Sequence, residues 1–497
     1  MKTWKINQFY GGFAIDDKLG TSQQFGDGSE GVDTYHKPSV LRGNLKMETH
    51  ETGAVDARMQ DFTKGSDGTV YGYGYIAYGG ANIRTRLWKL ASGTWSAVGS
   101  ATSGSTIEDG QIIEYKDHIL GYSKTNKIFT YGLLSGTPSF TEDFVTTTNS
   151  IAAYAPMAVQ QNTLYIANEN LVASLTDPTS SASFTASAFD LPDGWTIVTM
   201  VPWGKYLAIG ATSPEDSKVS KIFFWDTSSE SYEFAKNVPQ GKLIGIVNIG
   251  DILRGVVLNS ATAVNHIGTL NIIEWNGGAV NVVWTQKLKG LTSATTNFRN
   301  NGLDEKDGTL YIGGVLDSVI GKGGIYTYGQ PIIGGTFSFN HSISVVATLL
   351  EHFHCLKWIG TFLYASFLDN TSTDYKIVRS DDTDDAYEDF TYESLIFDGG
   401  KIYKTKAIQR IIVNTNALPA NAVVTLKYKV DRASSWTTVG TISTTSATQK
   451  TFQNISGSAF NNFSELQLQL SSNMSTGDGL IEVTGITVLY EELAIPA

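Results

Sequence analysis

One short motif constrains this chain more than anything else in it. Asp307-Gly308-Thr309-Leu310-Tyr311-Ile312-Gly313-Gly314 recurs almost verbatim as Asp67-Gly68-Thr69-Val70-Tyr71-Gly72-Tyr73-Gly74. Each copy reads as a tight turn followed by a strand, because Asp-Gly supplies the positive φ of a hairpin turn and the residues after it suit a pleat. Looser copies fill the space between, so that the aligned residues are Tyr71, Leu120, Tyr165, Leu207, Leu253, Tyr311 and Leu363, at intervals of 49, 45, 42, 46, 58 and 52. Three residues before each stands Gly68, Asp117, Asn162, Gly204, Gly250, Gly308 or Gly360, all types that tolerate positive φ.

Each unit then shows a third, apolar and aromatic strand: Leu87–Leu90, Ile128–Tyr131, Leu171–Leu175, Ile222–Trp225, Ile272–Trp275, Ile325–Tyr328 and Tyr375–Val378. Weaker fourth strands follow, as in Trp95–Val98 and Val280–Trp284, and a first strand precedes each turn, as in Ile197–Val201. Four strands per unit of about 45 to 50 residues, repeated seven times, is the signature of a β-propeller, since one such sheet buries both faces only by stacking on neighbours. A pair of irregular β-sandwiches is the alternative. Val345 to Trp358 also spaces Val346, Leu349, Leu350, Phe353 and Leu356 at helical intervals, but Gly360 follows in register, which makes it a first strand.

Beyond Asp398-Gly399-Gly400 the alternation becomes cleaner, through Ile408–Val413, Ala422–Val430, Trp436–Val439, Leu466–Leu470 and Ile486–Tyr490. The expected fold is therefore all-β: a seven-bladed β-propeller followed by a small antiparallel β-sandwich. The expected domains are an extended N-terminal arm at 1–50, the propeller at 51–400 and a C-terminal β-sandwich, jelly-roll or immunoglobulin-like, at 401–497. Trp4, Ile6, Phe9, Phe13, Ile15 and Phe25 give the glycine-punctuated arm apolar anchors. It covers its own chain or reaches a neighbouring subunit.

Charge narrows the function. The net charge is -12, and the first 400 residues hold 28 basic against 42 acidic side chains, which argues against general nucleic-acid binding. Cys355 is the only cysteine, so no intrachain disulfide framework exists, and folding in a reducing cytosol is expected. The first residues lack the apolar core of a signal peptide, and no apolar run reaches the roughly 20 residues of a membrane helix.

Chemistry is sparse. G-x-S-x-G, H-E-x-x-H and the phosphate-binding G-x-x-x-x-G-K-[ST] are all missing, and Gly321-Lys322-Gly323-Gly324 reads as a turn. His352 and His354 share a strand face beside Cys355, but two imidazoles do not complete a zinc site. Asp381, Asp382, Asp384, Asp385, Glu388 and Asp389 form an acidic turn without the central Gly and final Glu of a calcium loop. Ser92-Gly93-Thr94-Trp95 keeps only the end of the S-x-D-x-G-x-T-W turn of sialidase propellers, and Glu108, Asp109 and Glu114 are candidates to line a central channel. No catalytic, cofactor-binding or metal residue is assigned, and no cofactor is expected.

The connection between second and third strands is short in units two and three and long at Ala211–Ser220, Asn259–Gly268, Leu316–Gly323 and Ile76–Thr85. Asp369–Asp374 in unit seven bridges them round the ring. Loops elaborated over one sector of a rigid scaffold usually bind something.

Arm, propeller and terminal sandwich together resemble virion structural proteins of tailed bacteriophages, including propeller-bearing tail and nozzle components. Phe9-Tyr10-Gly11-Gly12-Phe13-Ala14-Ile15-Asp16, Pro38-Ser39-Val40-Leu41 and Trp436-Thr437-Thr438-Val439-Gly440 carry the likeness. It implies a non-enzymatic structural protein of the virion, in the tail or at the portal-tail junction. Copies of itself and other virion proteins would be its partners, with arm and sandwich making the contacts. A carbohydrate- or receptor-binding adhesin that offers Trp203 and Trp358 to a host surface glycan is the first alternative. A polysaccharide-degrading enzyme is the second.

Overall fold

The computed structural model describes the chain except residues 15–17, 19–22, 38, 45, 51–57, 79–81, 103–109, 125, 150–154, 214–218, 240, 260–266, 290–297, 318–321, 334, 345–349, 370–373, 381–386, 454–461, 475–478 and 494–497. The described residues are almost wholly strand and turn, with two 3-10 turns at Ser181–Ser183 and Asn300–Gly302. Two compact units emerge. The larger takes Glu48–Gly324 and Val346–Ser380; the smaller takes Met1–Met47, Ile325–Val345 and Asp381–Ala497.

In the larger unit the repeats become antiparallel sheets, called here sheets 1 to 7 in chain order. Their first strands are Arg58–Lys64, Ile112–Tyr115, Met157–Gln160, Thr196–Trp203, Lys242–Ile249, Leu303–Lys306 and Leu350–Ile359. Sheets 1 to 4 each run in order through four consecutive strands, and sheet 5 does the same before its last strand meets Thr309–Asp317 of sheet 6 in one parallel pair, Lys289 with Asp317. Sheet 6 places Leu303–Lys306 and Thr309–Asp317 in this unit, and the chain leaves it within Lys322–Gly329. Of the segment with helical spacing, Leu350–Trp358 is strand, in register with Gly360, and residues 345–349 lie outside the described residues. In sheet 7 the strand beside Asp374–Ser380 is Met47–Thr49, at the point where the chain enters the unit. The strand beyond the acidic turn, Thr391–Glu393, pairs with Gln469–Ser471 instead.

All seven aligned turn residues have positive φ: +81° at Gly68, +65° at Asp117, +62° at Asn162, +55° at Gly204, +56° at Gly250, +81° at Gly308 and +64° at Gly360. A Cβ at Gly308 would meet nothing within 4 Å, so its glycine answers to backbone conformation and not to crowding. Asp67 completes the motif by accepting from the Thr69 N–H at 3.0 Å and the Tyr71 hydroxyl at 3.0 Å.

Apolar faces pack sheet on sheet in sequence order. Tyr71 and Tyr73 meet Ile112 and Phe129, Tyr122 meets Leu164, Tyr165 meets Trp225, and Phe224 meets Trp275. Gly245 abuts Leu303, Gly313 abuts Phe353, and Cys355 and Tyr364 of sheet 7 pack on Met59 and Phe62 of sheet 1.

Side chains then tie the second to seventh turns to the sheet before each. Ser66 donates to the Asp117 carboxylate (2.5 Å), Tyr115 to the Asn162 carbonyl (2.7 Å) and Gln160 to Gly204 (3.0 Å). Trp203 donates to Asp251 (2.6 Å), Arg254 to Gly308 (3.2 Å) and Lys306 to Gly360 (3.3 Å). The recurrent turn is the handhold by which neighbours grip one another.

The smaller unit contains two four-stranded antiparallel sheets, one holding Lys2–Ile6, Val483–Glu492, Lys406–Thr415 and Gln449–Gln453. The other holds Thr391–Glu393, Leu466–Asn473, Val423–Val430 and Thr437–Ile442. Residues of the arm are built into this unit: Lys2–Ile6 zip onto Ile486–Tyr490, and buried Phe9 and Phe25 meet Tyr392 edge-on at 5.3 and 5.9 Å. Gly12, at φ +69°, lies against the Phe339 carbonyl.

Candidate functional site

Seven first strands converge on one cavity of about 280 Å³, lined from every sheet by residues in or beside these strands. Asp61, Gln111, Pro156, Thr199, Asn248, Asp304 and Lys357 represent sheets 1 to 7 in turn. One end is crossed by the turn Asn300–Gly302, which reaches over the middle. Asn301 Nδ2 donates to the carbonyls of Gln60 (2.7 Å) and Gly110 (2.8 Å), and Asn300 donates to Val198. Exposure rises along the strands from there: Asp61, Thr199 and Asn301 are buried, whereas Pro202, Asn248, Glu305 and Lys357 are half-buried. The cavity therefore opens toward the end that carries the recurrent turns.

The polar groups here join sheets. Asp61 Oδ2 accepts from the Ile112 N–H at 3.0 Å while Oδ1 accepts from the Phe62 N–H at 2.9 Å. Gln111 Oε1 accepts from the Met157 N–H at 2.6 Å, and Asn248 Nδ2 donates to the Pro202 carbonyl at 3.0 Å. Asp304 takes the Trp358 N–H at 2.6 Å and the Lys357 ammonium at 3.3 Å. Burial pushes the Asp61 carboxyl up to about 7, against the opposing pull of Lys357 and of the two backbone N–H groups. Burial, reinforced by the Asp304 charge, also raises Glu305. Lys357 pays a burial penalty that would lower it, but Asp304 and Asp61 outweigh this and hold it above its usual value.

Other sequence candidates fall elsewhere. Glu108, Asp109 and Asp381–Asp385 lie outside the described residues. Glu114 accepts from the Asp117 N–H at 2.9 Å, within the turn, and Asp389 accepts from Ser472 and Met474. His354 Nδ1 receives a hydrogen bond from Arg58 Nε at 3.1 Å, Cys355 is buried, and the side chain of His352 is outside the described set. Among the described residues no group of three or more His, Cys, Asp or Glu is placed to hold a metal ion. Trp203 packs on Trp275 at 4.6 Å and Trp358 on Tyr311 at 5.3 Å, so both half-buried indoles are joints between sheets and not open platforms.

The loop pattern also tightens. Strands in sheet 1 run to Tyr78 and restart at Asn82, so most of Ile76–Thr85 is ladder. In sheet 6 the strands end at Asp317 and restart at Lys322. In sheets 4 and 5 the strands end at Thr212 and Asn259 and restart at Ser220 and Ile267, and residues 214–218 and 260–266 between them lie outside the described residues. Alternating residues continued the ladder past where polarity suggested it stopped.

Comparison adds little beyond architecture. No protein-family model matches the chain, and no curated protein does. Among solved structures it is similar to the Cps50 (Swd1) β-propeller domain of Myceliophteria thermophila, at TM-score 0.41 and 10% identity over 67% of this chain and 98% of that one. It is also similar to the N-terminal domain of Nup159 (0.39, 13%, 70% and 98%). A third is an exo-beta-1,3-galactanase from Phanerochaete chrysosporium, solved with galactose (0.32, 9%, 88% and 96%). Likenesses this loose carry no functional argument.

Proposed function

We propose that this chain is a non-enzymatic structural protein of a tailed-phage virion, in the tail or at the portal-tail junction. Its body would be a seven-bladed β-propeller and its terminal region a β-sandwich. The succession of sheets, each packed on the next and the seventh on the first, supports the ring. The two four-stranded sheets of the smaller unit support the sandwich. The virion assignment rests on the resemblance in layout, and its partners are copies of itself and other virion proteins.

The observation that carries the non-enzymatic reading is the state of the central carboxyls. Hydrolysis of a glycosidic bond needs two carboxyl groups free to face the sugar. Asp61 and Asp304 are instead engaged with the backbone of the next sheet. With Lys2–Ile6 and Phe9 consumed inside the chain, the apolar side chains left for assembly contacts include Ile333 (101% exposed), Ile402 and Tyr403. Native mass spectrometry with negative-stain imaging tests the reading: a discrete symmetric multimer is expected, and a monomer that cleaves glycans would overturn it.

A second reading, attachment to a host receptor or surface glycan, is favoured by the length of chain between second and third strands in sheets 4 and 5, seven residues in each. Glycan-array binding that disappears when 213–219 is shortened to a two-residue turn would support it.

A further inference from the structure

The central cavity has an aliphatic wall and a buried acceptor, Asn248 Oδ1, that the joining of sheets does not use. Its described lining brings together three carboxyl groups, Asp61, Asp304 and Glu305, with one cation, Lys357. That balance disfavours an anion. Asn248 adds an acceptor: its Nδ2 is spent on Pro202, while Oδ1 is buried with no hydrogen-bond partner. A buried acceptor without a donor is costly, and a ligand N–H would satisfy it. Between these polar points the wall is aliphatic, formed by Pro156, Met200, Pro202, Ile246, Leu303 and Leu356.

We propose that this cavity binds a small alkylammonium cation of the linear-diamine class. Carboxylate and amide oxygens at the floor and rim would take the ammonium groups, and the aliphatic wall between them would take the methylenes. A bare divalent ion fits less well, since it wants six or more oxygens close together. Sugars commonly need an aromatic face to stack on, and among the described residues no aromatic side chain lines this space. At about 280 Å³, and open toward the turn end, the cavity has room for a short chain.

Binding is coupled to protons. Asp61 faces Lys357 and Cys355 of sheet 7 and Asp304 of sheet 6; Glu305 faces Asp304, Lys306 and Asp307. Burial holds a proton on Asp61 up to about pH 7, and an arriving cation displaces it, so affinity rises from pH 6 to pH 8.

Isothermal titration of the full chain with 1,4-diaminobutane tests this, run in two buffers of different ionisation enthalpy. Saturable one-to-one binding is expected, with an apparent heat that changes with the buffer. Glu305→Gln, at a half-exposed rim position, should weaken binding roughly tenfold or more while leaving the melting temperature within error. Asp61→Asn should remove the proton release. Calcium chloride, magnesium chloride and uncharged 1,4-butanediol serve as comparison probes. Absence of saturable diamine binding would overturn the proposal. So would equal binding by Glu305→Gln, equal binding of the diol, or binding of the divalent ions alone.

Discussion

The two compact units are made by opposite strategies. In the larger, most strands pair with the next strand along the chain, and each sheet rests on the sheet before and after it. In the smaller, Lys2–Ile6 pair with Ile486–Tyr490, Leu41 bridges to Val483, and Ile325–Val345 comes from the middle of the sequence. Local pairing writes a visible period into the sequence; long-range pairing does not. The first kind of unit should therefore spread the effect of a mutation over neighbouring sheets, while the second should depend on a few distant contacts.

The sharpest way to break that contrast is at Phe9, which is fully buried and meets Tyr392. Phe9→Ala should cost about 3–5 kcal/mol by loss of burial and creation of a cavity. Hydrogen exchange should show protection falling at both Lys2–Ile6 and Thr391–Glu393. Protection lost only near residue 9 would mean that the unit is not held together by its distant contacts.

Asp61 tests the shared centre of the larger unit through pH. Its folded carboxyl keeps a proton to about pH 7, whereas an unfolded one releases it near 3.8. Between these values the folded state binds more protons, so stability falls as pH rises, with the loss complete above about 7. The swing is on the order of 4 kcal/mol. Denaturant titrations at pH 5 and pH 8 should show about 2–3 kcal/mol of this fall in the native chain and lack it in Asp61→Asn.

A smaller effect is expected where two sheets are joined by one hydroxyl. Tyr122 donates to the Ala167 carbonyl at 2.6 Å with both groups buried. Tyr122→Phe should cost about 1–2 kcal/mol, read as a lower denaturation midpoint with an unchanged slope. The least effect separates turn geometry from turn sequence. Gly308→Ala forces a Cβ into φ +81° and should cost about 1 kcal/mol. Gly278→Ala, which lacks positive φ and meets nothing within 4 Å, should be near neutral in the same melts.

Sequence reasoning reached the turns and strands of the larger unit because both obey local rules: φ tolerance at Gly68 and its six counterparts, and alternation in runs such as Leu171–Leu175. It missed the partner of Asp374–Ser380, because nothing in Met47-Glu48-Thr49 marks a strand that belongs more than 320 residues away. It missed the central carboxyls for a related reason. Asp61 and Asp304 occupy ordinary-looking positions in short strands, and only ring closure brings them to one cavity. No signal marks them in the sequence, because polar neighbours flank both: Arg58, Gln60, Thr63 and Lys64 share the first strand with Asp61, and Glu305 and Lys306 share theirs with Asp304. Trp203 and Trp358 looked like platforms because sequence shows an indole but not what it packs against.

The central claim is a structural role in a particle, and stoichiometry tests it most directly. Quantitative mass spectrometry of tailed particles purified from a lysate containing this protein should find the chain in the particle fraction at a fixed integer ratio to the portal subunit. Recovery only in the soluble fraction, with no particle-bound copies, would contradict it.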